Sequence, residues 1–243
     1  MSDTIEKLRD DENYYGAFGK QFLSNSDIGT LLSNPREFGL SRPDNANFAK
    51  GRYFHQLILE PEKALETEFV DVSSRTTKAY KEFIKERDIT FALLSKEGEE
   101  LRDSVKVMMG NLDMYELISN ADNDYEVPAV KEIKGMMWKG KADIVHPDML
   151  IDLKTTGNIK DFKWSARKYN YDSQCYIYQE LFGKPLIFLV IDKTSGMLGK
   201  YVPSDDFVKR GEEKVEAAIE VYQKFFAENS TEDINTYYIH EIL

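Results

Sequence analysis

A single cysteine, Cys175, stands among the 243 residues. One thiol excludes an intrachain disulfide, a four-cysteine zinc site and a cysteine-ligated iron–sulfur cluster. Histidine is scarce too, with three in all, so a metal site here has to be built largely from oxygen. Long hydrophobic runs are missing. Nothing approaches the ~20 apolar residues of a membrane-spanning helix, and the polar, acidic opening MSDTIEKLRDDENYYG is no signal peptide. These features predict a soluble, cytoplasmic protein with no membrane partner. Net positive charge is lacking as well. The balance of 32 Lys and Arg against 43 Asp and Glu is −11, which excludes a generally basic nucleic-acid coat but leaves room for a local basic groove.

What is present is enough for a folded core: 42% hydrophobic and 12% aromatic residues. Residues 1–23 read as a loosely held arm. SNSDIGTLLSNPREF offers Ser26 or Asp27 as a helix cap, with Pro35 as the stop. A second helix is predicted over 47–59, ended by Pro61. Charge and apolar spacing predict helices over 76–90 and 95–119. From Tyr125 the character changes to strands, EVPAVKEI, MMWKGKADIV and MLIDLKTT, with turns at Gly135 and at His146-Pro147-Asp148. A helix is expected over 162–182, then PLIFLVIDK, apolar enough for a strand buried on both faces. GMLGKYVP reads as its partner, and a last helix runs over 204–228. The sum is an α/β fold, a sheet flanked by helices.

The segment GKADIVHPDMLIDLKTT, residues 140–156, places charge where buried strands are expected. Alternation sets Asp152 and Lys154 on one face of their strand. A hairpin through His146-Pro147-Asp148 brings Asp143 opposite Asp152. Two carboxylates held together repel unless a cation separates them. Oxygen ligands suit Mg2+ or Mn2+ better than zinc, and a neighbouring lysine can stabilise a developing negative charge. The plainer reading is a buried Asp–Lys pair in an ordinary hairpin. Three further features bear on the choice. Glu126 begins the preceding strand. Gly51 and His55 stand four apart on a helix, so His55 can project past a residue without a side chain. Gln174 and Tyr178 share one face of the helix after the hairpin. Each taken alone also suits a structural role: a strand-edge charge, a core histidine, a packed Tyr–Gln pair.

In this order the pieces resemble the PD-(D/E)XK nuclease superfamily, most closely its RecB-like branch and, within that, the RecE-like (exonuclease VIII) exonucleases of phages and prophages. The likeness spans residues 26–178, and IDLKTT is distinctive only with its companions. It implies one nuclease domain over 1–243: an arm (1–23), a helical region (24–120), a restriction-endonuclease-like core with a central mixed β-sheet (121–228) and a tail (229–243). It further implies Asp143, Asp152 and the Leu153 carbonyl as metal ligands, His55 as an extra ligand, Glu126 as an acid reaching a metal or its water, and Lys154 as the catalytic lysine. Gln174 and Tyr178 would support the site and the DNA phosphate, with Lys139 and Lys141 as basic DNA contacts. Relatives often carry Arg-Pro before the first Asp, where this chain has Lys141 and Ala142. From 131 to 170, nine basic residues against five acidic ones leave +4, which suits phosphate contact, although a solvated helix face after Lys160 explains part of it.

The implied function is Mg2+- or Mn2+-dependent hydrolysis of duplex DNA from its ends, 5′ to 3′, in phage or prophage recombination, by a trimeric or tetrameric ring. A single-strand annealing protein is a further implied partner. The ring contacts would fall on the 95–119 helix and the arm. The alternatives are a structure-specific or single-strand nuclease of the same fold and a catalytically silent DNA-end-binding module.

Overall fold

A computed structural model describes residues 2–40 and 44–240; Met1 of the expected arm, residues 41–43 of the expected helical region and residues 241–243 of the expected tail lie outside the described residues. The first part is helical: α1 (Ser2–Leu8), α2 (Asp11–Tyr15), α3 (Asn25–Ser33), α4 (Ala46–Leu59) and α5 (Pro61–Leu65). Two short strands, β1 (Phe69–Val70) and β2 (Leu93–Leu94), flank α6 (Lys78–Glu86) and pair in parallel. Then come α7 (Ser95–Met109) and α8 (Leu112–Ile118), followed by the meander β3 (Asp124–Ile133), β4 (Met136–Val145) and β5 (Leu150–Thr156). The crossover α9 (Phe162–Lys168) and α10 (Tyr171–Phe182) leads to β6 (Leu186–Asp192), β7 (Leu198–Tyr201) and α11 (Asp205–Phe225).

The main sheet is mixed and five-stranded, ordered β3-β4-β5-β6-β7, and only β5 and β6 run parallel. This is the expected sheet flanked by helices. Every residue of β6 is buried, because helices cover both faces. On one face Ile144, Ile151, Leu153, Ile187 and Leu189 pack with Tyr53 and Phe54 of α4 and Leu101 and Met108 of α7. On the other, Leu150, Leu186 and Phe188 meet Phe162 and Ala166 of α9 and Cys175 of α10. Gly140 lets α10 close on β4: a Cβ there would lie 2.8 Å from the Tyr178 ring.

Four local expectations change. The cap of α3 is Ser24, two residues earlier, whose amide donates to Asp27 Oδ2 at 2.8 Å. The helix expected over 95–119 breaks after Met109, because Asn111 caps α8 by accepting from the Met114 amide at 3.1 Å. The helix expected over 162–182 breaks at Asn170, held at φ 58°, a left-handed conformation that asparagine tolerates better than most residues. The arm is packed rather than loose. Leu8 and Tyr14 are buried with Val130, and Leu23 pairs with β4 through the Leu23 amide on the Met137 carbonyl (3.0 Å) and the Lys139 amide on the Leu23 carbonyl (2.8 Å).

Candidate active site

The β4–β5 ladder is short. Val145 pairs with Leu150 and Ile144 with Ile151, and regular pairing stops there. By that register Asp143 stands opposite Asp152. The Asp143 carboxylate takes over from the missing ladder: its Oδ2 accepts the Leu153 amide at 2.7 Å. On the other side, β3 and β4 keep one register at Tyr125–Ile144 and Val127–Ala142 but skip the intervening pair, Glu126 and Asp143. Glu126 sits there at φ 49°, a conformation costing a non-glycine residue of order 1–3 kcal/mol. Glu126, Asp143 and Asp152 thus form one row across three strands, at the point where the sheet loosens.

His55 reaches this row from α4. Its Nε2 lies 2.8 Å from the Leu153 carbonyl. A carbonyl only accepts, so Nε2 carries the hydrogen, and Nδ1 turns a lone pair towards Asp143 Oδ1 at 3.5 Å. An acceptor facing a carboxylate needs a proton or a cation between them. Ligand atoms of His55, Glu126 and Asp143 all lie within 4.8 Å of one another. Burial, and then the Asp143 charge, push the Glu126 carboxyl up to about 8. Burial also raises Asp143, with His55 opposing and Asp152 adding to the rise. Two acids that resist ionisation beside an imidazole lone pair fit a hard divalent cation, which would relieve all three.

Asp152 takes a different set of partners. It is 3% exposed. Its Oδ1 accepts from Gln174 Nε2, and its Oδ2 pairs with the Lys154 ammonium at 2.5 Å. Burial works against the charge on Lys154, yet Asp152 outweighs it and raises the ammonium above its usual range, so Lys154 stays cationic. The ammonium also lies 4.8 Å above the Tyr171 ring. Tyr178 donates to the Lys141 carbonyl at 3.1 Å. Alternation puts Asp152 and Lys154 on the α10 side of β5, while His55 comes from the α4 side; the row of acids lies between.

A family model described as "PDDEXK-like domain of unknown function (DUF3799)" matches residues 36–233. The chain belongs to this PDDEXK-like family. No curated protein matches the sequence. Among solved structures, the PDDEXK-like chain is similar to a candidate exonuclease from Eubacterium rectale, with a TM-score of 0.65 and 18% identity over 88% of this chain and 85% of that one. It overlaps more loosely with a phage-related exonuclease from Haemophilus somnus, with a TM-score of 0.34 and 14% identity over 66% of this chain and 92% of that one. Family and fold place the chain in the PD-(D/E)XK superfamily.

The PDDEXK-like fold brings Glu126, Asp143, His55, the Leu153 carbonyl, Asp152, Lys154 and Gln174 to one place. The Leu153 carbonyl, expected as a ligand, is engaged by His55. Lys139 and Lys141 are not open DNA contacts. Lys139 is buried, donates to the Tyr14 carbonyl and lies 4.2 Å from the Tyr14 ring; burial pushes its ammonium down to about 8. Lys141 pairs with Asp11 at 2.5 Å, and Lys63 holds the other Asp11 oxygen at 2.7 Å. Burial alone would raise the Asp11 carboxyl, but Lys141 and Lys63 hold it below its usual range. Sequence reasoning missed Asp11, Lys63, Tyr14 and Tyr171. Their local signals are an acidic run, a helix start and ordinary aromatics, and nothing in them points to β4.

Proposed function

We propose that this PDDEXK-like chain is a divalent-metal-dependent exonuclease that hydrolyses phosphodiester bonds from duplex DNA ends, 5′ to 3′, in phage or prophage recombination. The observation that carries the reading is the convergence of His55, Glu126 and Asp143 within 4.8 Å, beside a Lys154 that Asp152 keeps cationic. A bound Mg2+ or Mn2+ would be held by Asp143, Glu126 and His55, with Asp152 alongside, and would supply Lewis acidity and an activated water.

The chain's own residues supply the rest. Lys154 offers a fixed positive charge to a phosphate oxygen or to the attacking water, in a site where burial strengthens electrostatics. Asp152 aims that ammonium, and Gln174 fixes Asp152 by occupying its other oxygen. His55, tied through Nε2 to the Leu153 carbonyl, presents Nδ1 without freedom to turn away. The preference for duplex ends, the polarity and the recombination role rest on the RecE-like pattern of motifs.

The deciding assay uses end-labelled linear duplex and covalently closed circles of the same sequence. The expected result is release of labelled nucleotides from the linear DNA with Mg2+ or Mn2+, none in excess chelator, and intact circles. Hydrolysis that persists in chelator removes the metal from the reading. Equal cutting of closed circles removes the requirement for an end.

A further inference from the structure

Helix α9 carries an outward face that the nuclease chemistry leaves unused. Phe162 and Ala166 point into the core, whereas Lys163, Trp164, Arg167 and Lys168 are exposed, with Lys160 before the helix and Tyr169 after it. Trp164 is 69% exposed and Tyr169 58%. Exposed rings scattered singly need no explanation; what sets Trp164 and Tyr169 apart is the cations beside them. The four cations Lys160, Lys163, Arg167 and Lys168 have no carboxylate partner among the described residues, although the chain as a whole stands at −11. The Arg167 guanidinium lies 5.6 Å from the Trp164 ring, and the Lys168 ammonium 5.7 Å from Tyr169.

These rings continue towards the site. Tyr169 and Tyr171 are 6.2 Å apart between centroids, tilted by 38°, and Tyr171 lies under the Lys154 ammonium. A line of aromatic surface therefore runs from the catalytic lysine to the outside, edged by unpaired positive charge. Alternating rings and cations match a polymer of bases and phosphates. Aromatic rings stack on any base once it is unpaired, and lysines track the backbone. A paired duplex keeps all its base faces stacked except those of the terminal pair, so it offers far less to Trp164 and Tyr169 than an unpaired strand.

We propose that the outward face of α9, with Trp164 and Tyr169 as stacking surfaces and Lys160, Lys163, Arg167 and Lys168 as phosphate contacts, binds unpaired single-stranded DNA and leads it towards Lys154. The proposal rests on the nuclease reading for the identity of its ligand.

The chain has two tryptophans, and the other, Trp138, is fully buried. Quenching of tryptophan fluorescence therefore reports on Trp164. In chelator, oligothymidylate of about 20 nucleotides, long enough to span such a face, should quench the full chain, and a blunt hairpin duplex should quench it at least tenfold less well. Trp164→Phe should lose the signal but keep most of the affinity measured by anisotropy. Trp164→Ala and Tyr169→Ala should each weaken affinity roughly 5- to 150-fold, the loss expected for one base–aromatic stack. Lys163→Glu with Lys168→Glu should flatten the dependence of log affinity on log salt by about 1.4, or ~0.7 per phosphate contact. Unchanged affinity in Trp164→Ala overturns the proposal. So does stronger quenching by polyglutamate than by oligothymidylate, which would assign the face to an acidic protein. The unaltered chain separates the two readings: quenching with no hydrolysis in any metal leaves the platform standing and sinks the nuclease, while hydrolysis without quenching does the reverse.

Discussion

Asp152 and Lys154 depend on each other. Lys154 keeps its charge because Asp152 lies beside it, and the buried Asp152 is tolerated because Lys154 answers it. Lys154→Ala should cut turnover roughly 10²–10³-fold, the usual loss on removing a preorganised charge from a transition state. It should leave Mn2+ affinity by calorimetry within a few fold, since Lys154 is no ligand. It should also lower the melting temperature, because an uncompensated buried carboxylate costs about 3–5 kcal/mol, so turnover is to be measured well below the melt. Asp143→Ala should lose metal affinity and turnover together; unchanged Mn2+ binding in that variant would remove Asp143 from the ligand set. Glu126 gives a pH signature. Its carboxyl sits at about 8 in the fold against 4.5 ordinarily. In chelator, both states are protonated at low pH. As pH rises from 4.5 the unfolded chain ionises first, so the folded state binds more protons and stability falls until about pH 8, where the slope ends. Melting in chelator should therefore drop across that window, and the rise in melting temperature produced by Mn2+ should grow across it. Glu126→Gln should flatten both trends; an unchanged slope in the variant would assign the effect elsewhere.

Helix α2 acts as a unit by laying Asp11 between Lys63 and Lys141 and setting Tyr14 against Lys139 and Lys141. The carboxylate neutralises both lysines. Asp11→Asn should therefore tighten duplex binding and steepen the salt dependence by up to about 1.8 in log–log slope, ~0.9 for each lysine freed. Anisotropy at several salt concentrations reads this directly. Equal slopes in both proteins would mean that neither lysine reaches DNA even when released. Gly19 shows how closely the arm is held: a Cβ there would lie 2.6 Å from the Lys139 ammonium and closer still to the Tyr14 carbonyl.

The whole molecule carries −11 and is repelled by DNA at long range, with positive charge gathered near β5 and α9. A single copy should leave its substrate often, whereas a ring that points its basic sides inward keeps hold by topology. A trimer or tetramer is therefore proposed, and light scattering during chromatography should return three or four times the monomer mass. A monomeric mass under conditions where the protein degrades DNA would end the ring proposal. The surfaces expected to make the ring, the 95–119 segment and the arm, each give part of their side chains to the core. The arm spends Leu8 and Tyr14, and α7 spends Leu101 and Met108, on the chain's own core. The exposed Val107, Leu112 and Tyr115 of α7 and α8 lie within the 95–119 segment and are the contact candidates it offers.

The five strand segments of the main sheet, the opposition of Asp143 and Asp152, the burial of PLIFLVIDK and the scarcity of metal ligands other than oxygen were all legible in the chain. Each follows from local alternation, turn residues or composition, which act over a few neighbours. The breaks at Asn111 and Asn170 were harder to see, because charge and apolar periodicity runs on through both and only the cap and the left-handed backbone interrupt it. The packing of the arm was not legible at all. Asp11 lies 130 residues from Lys141, and an acidic run looks the same whether water or a lysine answers it. The division of labour among the acids was likewise tertiary. Sequence placed Glu126, Asp143 and Asp152 near one another. Only the loosened ladder and the helices on either side decided that Asp143 and Glu126 face His55 while Asp152 turns to Lys154 and Gln174, because a carboxylate's partners are set by what packs against its strand and not by its position along it.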